Sequence, residues 1–220
     1  MRATLLYCYD PYCGWCYGFS TVIRNIFSEY EKTLDFEVLS GGMVLPATPV
    51  HISAIALYNQ EVYKRVTALT GVKFSTDYLW HINNPELSDW YPNSEKAAIA
   101  LCIFREYFPG KQIEFINALQ ACLYQEGRDL TDDESYRHLL AVYDIPANAF
   151  YEKLKSETFK ENAYEEFAVV KQLNVTGFPT VFVQIPDSKF YLVANGYTTY
   201  ETLKQRIDEV LKNNSSAHLK

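Results

Sequence analysis

Thr4 to Tyr9 is a run of β-branched, aromatic and aliphatic residues; Asp10-Pro11-Tyr12 interrupts it, and Cys13-Gly14-Trp15-Cys16 follows at once. The run reads as a buried strand. Beyond it, Phe19, Val22, Ile23, Ile26, Phe27 and Tyr30 recur at helical spacing, so a helix is expected from about Cys13 to Tyr30. Leu34-Asp35-Phe36-Glu37-Val38 then alternates apolar and charged, as a strand does. The chain therefore opens with a βαβ unit whose first strand-to-helix junction carries two cysteines.

That position has chemical consequences. Free N–H groups at a helix N-terminus favour an anion, so a thiolate is stabilised at Cys13. Cys16 lies about one turn on, and both sulfurs share one face. The spacing permits the roughly 4.4–6.8 Å Cα separation of a disulfide. The outer thiol is expected to be exposed and to attack a disulfide, and the inner one to be shielded and to resolve the mixed product. A C-x-x-C pair at such a junction is a strong redox signal.

The pattern then changes twice. Gly41-Gly42 ends the second strand, and from about Ile52 to Leu173 the chain reads as helical, with a loop from Trp80 to Pro92. Helices are expected over Ser94–Phe108 and Gln112–Gln125. Thr131-Asp132-Asp133-Glu134 has the form of a capping box, and Pro146 starts a short helix. After Leu173, Thr180 to Ile185 is a strand, Pro186-Asp187-Ser188 a turn, Phe190 to Val193 the return strand and Asn195-Gly196 a second turn. Thr198 and Glu201 form another capping box; Leu203, Ile207, Val210 and Leu211 line a last helix, and a polar tail starts at Asn213.

Neither the βαβ nor the ββα end can cover its own sheet. Joined, they give an α/β fold: a four-stranded mixed sheet with helices on both sides, in the order β-α-β … β-β-α. The expected division is a sheet domain of residues 1–44 and 161–220, with a large α-helical insertion at 45–160.

Several function classes are disfavoured. The net charge is -7 and no Lys/Arg cluster stands out, which argues against nucleic-acid binding. No apolar run approaches the length that spans a bilayer, and the first residues read as a strand rather than an export signal. Asn174-Val175-Thr176 and Asn214-Ser215-Ser216 are therefore read as chance matches to a glycosylation pattern, and a cytoplasmic location is expected. Cys8, Cys13 and Cys16 have the C-x4-C-x2-C spacing of some iron–sulfur ligands, with Cys102 or Cys122 as a fourth. The short ordinary loop and the apolar strand around Cys8 argue against it. His51, His81, His138 and His218 show no ligand spacing. No metal and no cofactor are expected.

Gly177-Phe178-Pro179-Thr180 precedes the third strand. Beside a C-x-x-C pair, a strand-initiating proline is expected to be cis and to face Cys13. The backbone of Phe178 is then placed to pair with an extended substrate segment.

At this point a resemblance is apparent. Cys8 to Phe19, Leu39-Ser40-Gly41-Gly42-Met43, Tyr124 to Asp132, Gly177-Phe178-Pro179-Thr180 and Asn195-Gly196-Tyr197 resemble the DsbA-like thioredoxin-fold family, most of all its FrnE-like branch of predicted protein-disulfide isomerases. The resemblance covers nearly the whole chain. It implies a thioredoxin-like fold, Cys13 as nucleophile, Cys16 as resolving thiol and Pro179 in cis. Oxidants, reductases and isomerases all occur in the family, so the direction of electron flow does not carry over.

Two departures stand out. Exported members usually have Pro-His between the cysteines, where this chain has Gly14-Trp15. Many thioredoxin-like proteins also keep a buried acid six residues before the nucleophile, where this chain has Tyr7. Proton transfer at Cys16 is then left to water or to one of four side chains, Glu37, Asp10, Tyr7 and Tyr9.

The expected function is exchange of a Cys13–Cys16 dithiol/disulfide with protein or peptide thiols, with Gly14, Trp15, Phe178 and Pro179 as substrate contacts. Trp80, Trp90 and Tyr91 either extend that groove or fasten the insertion. A glutathione-dependent isomerase or transferase of the same fold is the alternative, with glutathione then a partner.

Overall fold

The computed structural model describes residues 2–186 and 189–215. Four strands, β1 (Thr4–Tyr9), β2 (Asp35–Ser40), β3 (Thr180–Gln184) and β4 (Phe190–Asn195), form one sheet in the order β2-β1-β3-β4. β1 and β2 are parallel, with Tyr7 opposite Val38; β1–β3 and β3–β4 are antiparallel. The crossover between the parallel pair is α1 (Gly14–Tyr30).

Strand alternation sorts β1 between two cores. Leu5, Tyr7 and Tyr9 join Phe19, Ile23 and Ile26 of α1 on one face. Leu6 and Cys8 join Leu39, Phe182 and Val170 on the other. Cys8 thus points away from the cysteine pair, and an iron–sulfur set of Cys8, Cys13 and Cys16 is ruled out by geometry.

Between β2 and β3 the chain is helical: α2 (Ala56–Thr70), α3 (Thr76–Asn83), α4 (Glu95–Tyr107), α5 (Gln112–Tyr124), α6 (Arg137–Val142), α7 (Ala147–Leu154) and α8 (Glu157–Gln172). α9 (Tyr200–Ser215) follows β4 and packs on it and on α1, while α8 packs on β2. Helices therefore cover both faces of the sheet. Gly71 ends α2 in the left-handed conformation at φ 77°, which suits a residue without Cβ.

Local readings shift by one to four residues. Trp80 sits inside α3, so the aromatic loop begins later than expected. Asp132, not Thr131, caps the turn at Asp133–Tyr136, its carboxylate accepting from Glu134 N. Thr199, not Thr198, caps α9 by accepting from Thr202 N at 3.3 Å. Both neighbours carry short oxygen side chains, and only the backbone direction selects between them. The turn expected at Pro186-Asp187-Ser188 lies partly outside the described residues. The polar tail from Asn213 is helical through Ser215, and its last five residues, like His218 within them, also lie outside.

Candidate active site

The site is built where β1 stops. Asp10, fully buried, accepts from Tyr12 N at 3.0 Å and Ser94 Oγ at 3.0 Å through Oδ1, and from Met43 N at 2.7 Å through Oδ2. One carboxylate thereby joins the cysteine loop, the loop after β2 and the start of α4. Its backbone carbonyl takes the Cys13 N–H at 3.1 Å. Burial raises the Asp10 carboxyl to about 6 against the three hydrogen bonds that favour its charge.

Cys13 is the N-cap of α1, and its sulfur accepts from Cys16 N at 3.3 Å. A thiolate here receives a backbone N–H in line with the helix axis. The Cys13 thiol donates to the carbonyl oxygen of Phe178 at 3.4 Å. All five cysteines are free thiols.

The expectation that Cys13 is exposed is corrected: it is 5% exposed. The Phe178 backbone stands against its sulfur. A Cβ at Gly14 would lie 3.1 Å from Val62 Cγ1, and one at Gly18 only 2.8 Å from Val66 Cγ1. These two glycines, one turn apart, let α2 close over the start of α1.

Cys16 has no exposed surface, and burial, then Cys13, pushes its thiol up. The Asp10 backbone N–H and the Tyr7 hydroxyl act in the opposite direction. Tyr7 itself is held protonated, mainly by burial. Of the four candidates for proton transfer, Tyr7 is thus brought to Cys16 as a hydrogen-bond donor, not a base. Asp10 is adjacent through its backbone. Tyr9 has a buried hydroxyl with no hydrogen-bond partner among the described residues. Glu37 is not brought to the pair: it acts on Cys8 and lines a cavity of about 620 Å³ on the opposite face.

The Phe178–Pro179 peptide bond is cis. The segment is pinned by Thr180 Oγ1 donating to Gly177 O at 2.7 Å and Gly196 N donating to Pro179 O at 2.8 Å. The Phe178 ring lies over Gly41, where a Cβ would come within 2.1 Å of it. Trp15 is half-buried and packs on the main core. Beside Tyr12, an apolar cavity of about 240 Å³ is lined by Met43, Ile52, Tyr58, Tyr78 and Trp90 among others. Trp90 also stacks on His81 at 3.8 Å, whereas Trp80 and Tyr91 face outward. Of the three aromatics, Trp90 alone lines the cavity beside Tyr12.

A family model described as the DSBA-like thioredoxin domain matches residues 4–208. The chain belongs to the DSBA-like thioredoxin family. Similar solved structures fit that assignment. A Nitrosomonas europaea protein, provisionally assigned as a protein disulfide isomerase, is 27% identical with a TM-score of 0.84, covering 97% of this chain and 99% of its own. The cytosolic disulfide reductase DsbM of Pseudomonas aeruginosa is 25% identical with a TM-score of 0.70, covering 99% of this chain and 100% of its own, and has also been solved with glutathione. A 2-hydroxychromene-2-carboxylate isomerase, 13% identical with a TM-score of 0.63 over 97% and 98% of the two chains, shares the fold alone. No curated protein matches. In this chain the junction between β1 and α1 carries the cysteines. Among the described residues no helix is long and apolar enough to cross a membrane.

Proposed function

We propose that this DSBA-like chain is a cytoplasmic thiol-disulfide oxidoreductase acting on protein or peptide thiols through Cys13 and Cys16. The observation that carries the reading is the hydrogen bond from Cys16 N to Cys13 Sγ at the helix N-terminus. In the reductive direction, Cys13 thiolate attacks a substrate disulfide; one substrate sulfur leaves as thiolate and takes a proton. Cys16 loses its proton and attacks Cys13 Sγ, forming the Cys13–Cys16 disulfide and releasing the second substrate thiol. Two electrons pass to the substrate, and the oxidative direction is the reverse.

Tyr7 and the Asp10 amide are the groups that support the Cys16 thiolate in the second step. Ionisation of Cys13 removes its S–H from the Phe178 carbonyl, which then accepts an N–H from an extended substrate. Gly14, Trp15, Phe178 and Pro179 are the proposed contacts. The sheet domain, 1–44 and 161–220, supplies all of these residues, and the insertion, 45–160, supplies the apolar wall beside Tyr12.

A glutathione-dependent isomerase is the second reading, favoured by the glutathione complex of the similar reductase. Titration of the pure protein with reduced and oxidised glutathione separates the two. A reversible two-electron Cys13–Cys16 couple is the expected result. Stoichiometric glutathione binding with no intramolecular disulfide at any ratio contradicts the proposal.

A further inference from the structure

Away from the cysteine pair, three side chains of different chemistry converge where α5 ends and α6 begins. Cys122 lies in the last turn of α5 and Glu126 two residues beyond its end. His138, in the first turn of α6, brings Nε2 to 3.4 Å from Cys122 Sγ and 3.3 Å from Glu126 Oε2. The three atoms lie within 4.8 Å of one another. Cys122 is fully buried, while the His138 and Glu126 side chains are 34% and 37% exposed, leaving a path from solvent.

The two separations from His138 Nε2 are those of a coordination sphere. Zinc holds sulfur at about 2.3 Å and nitrogen or oxygen at about 2.0–2.1 Å, so a tetrahedron has S–N edges of about 3.6 Å and N–O edges of about 3.3 Å. Hydrogen bonding alone serves the triad poorly. An unprotonated Nε2 accepts from the thiol but meets the carboxylate lone pair to lone pair. A protonated Nε2 donates to the carboxylate and leaves the thiol no acceptor. A cation at the centre takes a lone pair from all three.

We propose that Cys122, Glu126 and His138 form a zinc-binding site, with water in the fourth position, that clasps the end of α5 to the start of α6. One thiolate and one carboxylate offset the charge of a divalent ion, and the Arg128 guanidinium beside Glu126 leaves one positive charge over. Arg128 Nε holds Glu126 Oε2 at 2.5 Å, which orients the carboxylate without using up its lone pairs. Burial pushes the Cys122 thiol up to about 12, so the free site is a protonated thiol. On binding, the sulfur–zinc bond forms and the thiol proton passes to solvent, with no electron transferred. His138 Nδ1 is buried with no hydrogen-bond partner among the described residues. The site thus lacks the outer acceptor that usually supports a ligating histidine, and its affinity lies below that of structural zinc sites. The clasp acts on a helix that touches the active-site helix: Gln125 Nε2 donates to Tyr17 Oη at 3.0 Å, and the Tyr124 and Tyr17 rings are 4.8 Å apart.

The test is a cobalt(II) titration of the full chain carrying Cys13→Ser and Cys16→Ser, which removes the competing thiol pair. One equivalent is expected to give a thiolate-to-cobalt band in the near ultraviolet and tetrahedral visible absorption, both displaced by zinc. Adding Cys122→Ser should abolish the thiolate band, and His138→Gln should weaken zinc binding at least tenfold. No tetrahedral spectrum in the double variant, or a thiolate band that survives Cys122→Ser, overturns the proposal. Should the buried Cys122→Ser fail to fold, the partly exposed His138→Gln decides: unchanged zinc affinity overturns it.

Discussion

The backbone N–H of Cys16 points at the sulfur of Cys13 from 3.3 Å, so the second cysteine supplies the first with a hydrogen bond as well as a disulfide partner. The two thiols are therefore unequal before any substrate arrives. Cys13 caps the helix, while Cys16 lies inside it with no exposure.

Exposure alone does not rank the five thiols, since Cys102 at 6% is as open as Cys13 at 5%. Electrostatics does. Burial pushes Cys8 and Cys122 up to about 12, and pushes Cys102 and Cys16 up as well. Iodoacetamide at neutral pH should therefore modify Cys13 at least about tenfold faster than any other cysteine, as read by peptide mass mapping. Faster labelling at Cys102 would show that access, not the helix terminus, controls reactivity.

Asp10 binds a proton more tightly in the fold than in the unfolded chain, its carboxyl rising from the ordinary 3.8 to about 6 through burial. Stability should therefore fall as pH rises from about 4 to about 6, by on the order of 2–3 kcal/mol, and level off above. Asp10→Asn should flatten that slope while losing the Met43 hydrogen bond. Urea unfolding at pH 4 and pH 7 checks this, and an unchanged slope in the variant would refute it.

At Gly41 an added Cβ would sit 2.1 Å from Phe178 Cζ. Gly41→Ala should cost about 1–3 kcal/mol through overpacking and slow thiol exchange roughly tenfold by displacing Phe178. Phe178→Ala in the same chain should recover much of the stability. A double-mutant cycle reads the coupling, and strictly additive losses would mean that the ring is free to move.

Beneath that loop, the buried Glu166 carboxylate accepts from Arg105 Nη1 at 2.6 Å and Ser40 N at 2.8 Å. Arg105→Ala leaves that charge without its partner and should cost about 3–5 kcal/mol. Glu166→Gln, which keeps an acceptor, should cost less, about 1–2 kcal/mol. The opposite ranking in urea unfolding would contradict the role given to the ion pair.

What the residues reveal on their own is the short-range pattern. Alternation along β1 is enough to send Cys8 to one face and Tyr7 to the other, and the break at Asp10-Pro11-Tyr12 marks the helix start beside Cys13. The misses are contacts made across the chain. Asp10 meets Ser94 from 84 positions away. Val62 closes over Gly14 only because α2 is packed there. His138 shows no ligand spacing because its neighbours, Cys122 and Glu126, belong to α5 and its end. Capping by Asp132 and Thr199 went to the adjacent residue, because backbone direction at a helix start is not written in side-chain chemistry.

Unequal roles for the two cysteines are tested most directly by trapping. Cys16→Ser should leave Cys13 able to attack but remove the thiol that resolves the mixed disulfide. With a disulfide-bonded peptide it should accumulate a covalent adduct at Cys13, seen by intact mass and released by reductant, while Cys13→Ser accumulates almost none. Equal adducts in both variants, or adducts in Cys13→Ser alone, would contradict the assignment of Cys13 as nucleophile and Cys16 as resolving thiol.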